Sequence, residues 1–142
     1  MITNERQYQI GKAQAAKFRA ALDAPDTHAR AMHPRARKAL RDAAQSQLDD
    51  LQAELAEYER LRNGKLTSIT AESIVELAPA LVKARIARNW TQKELADRLE
   101  VAEQQVQRYE ATQYKGVSVE RLQAVADALK LRVREVITFE PL

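Results

Sequence analysis

The sequence predicts an all-α fold in two parts: an N-terminal helical hairpin or coiled-coil segment, then a bundle of short helices. Three observations predict it. Glycine and proline are scarce, at 3 and 4 of 142 residues, while Ala, Leu, Gln, Glu, Lys and Arg, all good helix formers, abound. Apolar residues recur at spacings of three and four. Near residue 68 the pattern changes from long helices with a single apolar stripe to short helices separated by short links. The expected organisation is a helical region over 1–64, a linker with a short helix over 65–78, and the bundle over 79–142.

The first helix is expected over Asn4–Leu22 with Thr3 as its cap. Tyr8, Gly11, Ala15, Phe18 and Leu22 make one narrow apolar seam. Pro25 and Pro34 bracket a polar loop. The second helix is expected over Arg35–Arg62, where Leu40, Ala44, Leu48, Leu51, Leu55 and Tyr58 form a near-heptad seam. Asn63-Gly64 reads as its stop. Neither helix buries its stripe alone, so the two pack on each other or on a partner chain. Tyr8, Phe18, Leu48, Leu51, Leu55 and Tyr58 are therefore the candidate dimer or partner seam. The second helix is basic at its start and acidic after its middle, opposite to what the helix dipole favours. An antiparallel copy of the same helix would set unlike charges together. That arrangement and an intrachain hairpin remain equally open.

Beyond Ser68 the expected helices are Ala71–Leu77, Pro79–Arg88, Gln92–Leu99, Glu103–Glu110, Val119–Leu129 and Arg134–Ile137. Pro79 suits a first helical turn. The expected core includes Leu77, Leu81, Leu95, Leu99, Val101 and Val106, then Leu122, Val125, Leu129, Val133 and Val136, with Ala96 and Ala126 between them.

Composition excludes several classes. With 45% hydrophobic and 30% charged residues the chain is ordinary for a folded globular protein. No apolar run approaches the roughly 20 residues of a membrane span. Met1–Arg6 lacks the apolar stretch of a secretory leader. With no cysteine, disulfides and thiolate metal sites are excluded, and a cytoplasmic setting is expected. No glycine-rich phosphate loop, nucleophile elbow or metalloprotease motif is present. Asp49-Asp50 suits a solvated helix face better than acid–base chemistry. His28 and His33, the only histidines, lack a third ligand and share no helical face. Neither an enzyme, a metal nor a cofactor is expected.

The net charge is +3, from 23 basic and 20 acidic residues. Residues 1–70 hold 12 basic and 9 acidic residues, and 71–142 hold 11 of each. The densest basic stretch is His28–Arg41, with five Arg or Lys and no acid. It is either a solvated face, a phosphate-contacting patch or a self-pairing surface.

The informative stretch is Thr91–Glu110, TQKELADRLEVAEQQVQRYE. Thr91 caps a helix that buries Leu95, Ala96 and Leu99. A turn follows with Val101 as an apolar plug. A second short helix sets Val106 and Tyr109 on one side. At about 100° per residue, Gln104 and Arg108 point away from Val106, with Gln105 and Gln107 beside them and Glu103 near the amino end. Gln pairs bidentately with adenine, Arg with guanine, and Glu accepts from cytosine, all at major-groove edges. Two short helices joined by a tight turn suit that groove. The alternative is a polar, exposed helix in an ordinary bundle.

The segments Ala84–Glu110 and Ser118–Ile137 resemble the helix-turn-helix domain of the lambda-repressor-like, Cro/Xre class of bacterial and phage regulators. The Thr-Gln-x-x-Leu-Ala start, the Arg-Tyr-Glu end and the Leu-x-x-Val-Ala-x-Ala-Leu helix carry the likeness, which spans roughly the last half of the chain. It implies a five-helix domain and a sequence-specific DNA-binding regulator, a repressor by expectation, that uses helix 103–110 in the major groove. It implies base reading by Gln104, Gln105 and Arg108, with Glu103 and Gln107 as further candidates. It implies phosphate contacts from Gln92, with Thr91 and Lys93 secondary. Tyr114 and Lys115 in the following loop are plausible backbone contacts. Arg85 and Glu110 match a structural salt bridge beneath the motif. Two departures stand out. Glu100 occupies a turn position usually held by Gly, and the loop after Glu110 lacks an immediate Gly. Trp90 suits packing better than base stacking.

A neutral motif half has little electrostatic drive toward phosphate as a single copy. A homodimer reading half-sites about 34–36 Å apart compensates, and residues 1–62 are expected to supply it. The second reading is a HigA-type antitoxin, which also binds a toxin and represses its own operon. A third is a coiled-coil scaffold with a degenerate motif.

Overall fold

A computed structural model describes residues 1–24 and 31–142. Pro25 and His28, singled out above, lie outside the described residues. The chain divides into two compact units, Met1–Asn63 and Gly64–Leu142. Every described element is helical, and among the described residues no helix is long and apolar enough to cross a membrane.

The first unit contains α1 (Glu5–Asp23) and α2 (Pro34–Arg62). The cap of α1 is Asn4, whose Oδ1 accepts from the Gln7 N–H at 2.9 Å. Thr3, expected there, is buried, and its backbone N–H and hydroxyl both donate to the Gln7 side chain. Asn4 immediately precedes the first helical residue, so its side chain is the one placed to accept from the free N–H groups of the first turn. Pro34 takes the first position of α2, and His33 Nδ1 accepts from the Arg35 N–H at 3.1 Å.

The two helices run antiparallel. Arg62 pairs with Glu5, the Tyr8 hydroxyl donates to Glu59, and at the far end Arg41 donates to the Leu22 carbonyl. Tyr8 and Tyr58 rings lie 5.2 Å apart. Gly11 lets α2 approach, since a Cβ there would meet Leu55, Ile2 and Leu51 at 3.3–3.5 Å. Leu48, Leu55 and Tyr58 are buried, and Leu51, Tyr8 and Phe18 are half-buried. Full burial of an apolar side chain of this size contributes about 1.5–3 kcal/mol, far more than the exposed pairs at the ends. The seam thus closes as an intrachain hairpin. Leu61, three residues past Tyr58, joins it, and Leu40 is exposed because it lies beyond the reach of α1.

The second unit contains α3 (Ile74–Ala87), α4 (Gln92–Leu99), α5 (Glu103–Ala111) and α6 (Val119–Ala128). The two helices expected on either side of Ala78 are one, so the expected boundary at 78/79 falls inside α3. Pro79 sits within it, and the helix forgoes the bond Pro79 would have donated to Val75. Burial of Leu81, Val82 and Ile86 on the continuing helix outweighs that loss. Four helices, not five, build this unit, because Arg134–Ile137 forms none. Val133, Val136, Ile137 and Thr138 are β-branched and lie in no helix, and Val133 and Val136 stand outside the core. Leu81, Leu95, Val106, Val125 and Leu129 do lie in it. Against this core α4 packs on α5 and α6, and α3 on α6.

Candidate nucleic-acid interface

The start of α4 is fixed by a reciprocal cap. The Glu94 N–H donates to Thr91 Oγ1 at 3.1 Å, and the Thr91 hydroxyl and N–H donate to the Glu94 carboxylate at 2.9 and 2.6 Å. Those hydrogen bonds, the backbone one first, hold the Glu94 carboxyl below the usual glutamate range. Helix α4 ends on Glu100, which takes a left-handed conformation at φ 56°, ψ 39°. The Val101 N–H then donates to the Ala96 carbonyl, which closes the turn and drops Val101 toward the core. A residue with a Cβ costs about 1 kcal/mol in this conformation.

Helix α5 begins at Ala102, which offers no side-chain cap. It is held down by Val106, Glu110 and half-buried Tyr109. Its other face presents Glu103, Gln104, Gln107 and Arg108, all exposed, with Gln105 half-buried at the edge. These side chains are lightly tethered. Gln107 donates to Glu103 at 3.4 Å, and Arg108 Nε donates to the Gln104 carbonyl at 3.4 Å. The geometry therefore groups the five expected base-reading residues on one short, anchored helix.

Beneath α5 lies a buried polar network. The Glu110 carboxylate accepts from Arg85 Nε at 2.5 Å, from Arg85 Nη2 at 2.8 Å and from Gln92 Nε2 at 2.8 Å. Side-chain exposure is 3% for Arg85 and 0% for Glu110. Arg85 Nη1 also donates to the Trp90 carbonyl at 2.6 Å. One carboxylate thus joins α3, α4 and α5, and the guanidinium fixes the link between α3 and α4. Arg85 meets Glu110 here.

The phosphate candidates are placed less uniformly. Thr91, Lys93 and Lys115 are exposed. Lys93 pairs with Asp97 at 3.0 Å, which raises the pKa of its ammonium. Gln92 is 5% exposed and its side-chain amide is engaged by Glu110, so a phosphate would meet its backbone N–H rather than its side chain. Tyr114, expected in contact with the DNA backbone, is instead a core residue at 2% exposure. Its ring stacks on Tyr109 at 5.6 Å, its N–H donates to the Tyr109 carbonyl, and burial pushes its phenol pKa up. The left-handed backbone at Gln113 and Tyr114 turns the ring inward, a conformation the loop composition did not announce. Trp90 packs under the Arg98 guanidinium at 4.1 Å. The signal missed in the sequence is the double duty of Gln92, which both opens α4 and reaches the buried carboxylate.

Residues 81–136 match a protein-family model described as Helix-turn-helix. No curated protein and no solved structure matches the chain. The match runs from the second half of α3 through α4, α5 and α6 into the segment after α6.

Proposed function

We propose that the protein, whose residues 81–136 match a helix-turn-helix family model, is a sequence-specific, DNA-binding transcription regulator of the lambda-repressor-like kind that inserts α5 into the major groove. The observation that carries this reading is the exposed Gln104–Gln107–Arg108 face of α5, set opposite the buried Val106 and Glu110. Its donors and acceptors suit adenine and guanine edges. The uncapped N–H groups at the start of α5 and the exposed Thr91 and Lys93 support phosphate contacts on either side. Such binding over a promoter would make it a repressor. The unit's balanced charge favours two copies on an inverted repeat over one copy alone.

The test is fluorescence anisotropy on DNA from upstream of the protein's own gene, beside scrambled DNA at the same salt. Specific binding should exceed the scrambled control by about a thousandfold or more. Arg108→Ala and Gln104→Ala should each lose about 1–3 kcal/mol on the specific site and little on scrambled DNA. Variants that keep full specificity would remove α5 from the reading role. The antitoxin reading shares this DNA-binding half and adds a toxin partner. Co-purification with a small protein encoded beside this gene would favour it.

A further inference from the structure

The hairpin of the first unit has a flank that its own seam does not cover. On that flank Lys17, Phe18 and Ala21 of α1 and Gln47, Asp50 and Leu51 of α2 wall a shallow groove. Phe18 and Leu51 remain half-buried at its floor. Ile10, two turns before Lys17, and Leu40, two turns before Gln47, continue the walls by helical period and are 49% and 59% exposed. Among the described residues, the large buried apolar side chains of this unit are Ile2, Leu48, Leu55, Tyr58 and Leu61. A unit of this size rarely stands on so small a core without a partner.

The charges on the two walls are ordered. Tyr8 lies beside Tyr58, Glu5 beside Arg62 and Gly11 beside Leu55, so residues at one level have numbers that sum to 66 or 67. Lys17 and Asp50 obey that rule and sit level on opposite walls. Both are exposed, and neither is ion-paired within the chain.

We propose that this groove receives a second copy of the chain, hairpin on hairpin, as a four-helix bundle whose two-fold axis runs along the groove. Such an axis lays α1 of one copy over α2 of the other. A closed two-fold permits no slide along its axis, so every residue keeps its level. Each Lys17 then meets Asp50 of the other copy, and each Phe18 turns toward the other copy's Leu51. An axis across the groove at this level would instead set Lys17 on Lys17 and Asp50 on Asp50. A single foreign helix would need an acidic flank for Lys17 and a basic one for Asp50, whereas the second copy brings both by symmetry. The apolar floor is then enclosed as in other antiparallel bundles. This deepens the reading of two copies on DNA by naming what joins them. Its test uses no DNA, so its failure leaves the DNA-binding reading standing.

The first experiment is sedimentation equilibrium on the full chain, with circular dichroism to confirm that the helices persist. The wild type should be dimeric in the micromolar range. Lys17→Glu and Asp50→Lys should each raise the dimer Kd about tenfold. Each change acts at both ends of the dimer, so tenfold asks for about 0.7 kcal/mol per pair, within the range of exposed ion pairs. The double variant should return to within about threefold of wild type. The second experiment uses the absence of native cysteine. Lys17→Cys and Asp50→Cys chains, mixed and oxidised, should form the mixed disulfide dimer in preference to either self-dimer. A wild type that stays monomeric at about 100 μM overturns the proposal. So does a dimer indifferent to the single charge reversals, or one that the double reversal fails to restore. Self-dimers of Lys17→Cys that outnumber the mixed species overturn it as well.

Discussion

Replacing Glu110 by glutamine should destabilise the second unit by about 3 kcal/mol or more. The substitution keeps the volume and removes the charge. Glu110 accepts three hydrogen bonds with no solvent in reach, two of them from a guanidinium that is itself 3% exposed. Two unit charges about 4 Å apart attract by about 4 kcal/mol at an effective dielectric constant near 20. Breaking one side of such a pair costs roughly 3–5 kcal/mol, since the other charge stays buried and uncompensated. The unit runs from Gly64 to Leu142, 79 residues (142 − 63). At about 0.05–0.15 kcal/mol per residue its total stability is about 4–12 kcal/mol, so the loss is a large part of it. Trp90 is the single tryptophan and lies in this unit, so its fluorescence reports the urea midpoint of this unit alone. The triple variant Arg85→Met, Gln92→Leu and Glu110→Leu should recover part of the loss, because an apolar set of similar volume leaves neither a buried charge nor the Gln92 amide without its carboxylate partner. A loss under about 1 kcal/mol for Glu110→Gln, or a triple variant no better than the single one, would refute the reasoning.

Thr91→Ala should cost the unit about 1 kcal/mol at neutral pH through loss of the cap. Because the Glu94 pKa is depressed in the folded state, the stability it supplies is present above the unfolded value, about 4.3, and is lost as pH falls through the lower folded value. The gap in urea midpoint between wild type and Thr91→Ala should therefore narrow below about pH 4, and a gap constant with pH would count against the reciprocal cap. Glu100→Gly should stabilise by about 1 kcal/mol by relieving the left-handed Cβ. On thermal unfolding that is a rise of roughly 4–8 °C for a unit of this size, and an unchanged or lower Tm would argue against the φ of 56°.

Much of the motif was legible because its signals are local. Thr91 with Glu94 three residues on, and Leu95, Ala96 and Leu99 on one face, specify α4 without knowledge of the rest of the chain. The outward face of α5 follows from Val106 and Tyr109 by helical period. The hairpin was legible as two seams, but the choice between an intrachain and an interchain partner was not. That choice depends on loop closure and on Gly11 admitting α2, neither of which is a periodicity. Pro79 misled because its usual place is a first turn, whereas the burial of Leu81, Val82 and Ile86 carried the helix through it. Val133 and Val136, three apart, imitate a helix face. Their β-branching weighs against a helix there. Tyr114 sits among polar neighbours, and only the left-handed backbone at Gln113 and Tyr114 turns it inward.

The polar network also decides how the reading helix is aimed. Glu110 lies one turn beyond Val106 on the buried side of α5, so its three bonds fix both the depth and the rotation of the helix. Rotating α5 by one residue, about 100°, would replace the Gln104–Arg108 face with another. The residues that set sequence specificity are therefore held by residues that touch no DNA. This separates two kinds of loss. Removing Lys93 removes a phosphate-contacting charge and should flatten the salt dependence of binding by up to one unit. A folded Glu110→Gln protein keeps every surface cation. It should lose specificity while the slope of log K against log salt on scrambled DNA stays within error of wild type. A changed slope would mean that Glu110 acts on DNA by its own charge, and the network would then be no more than an internal tie.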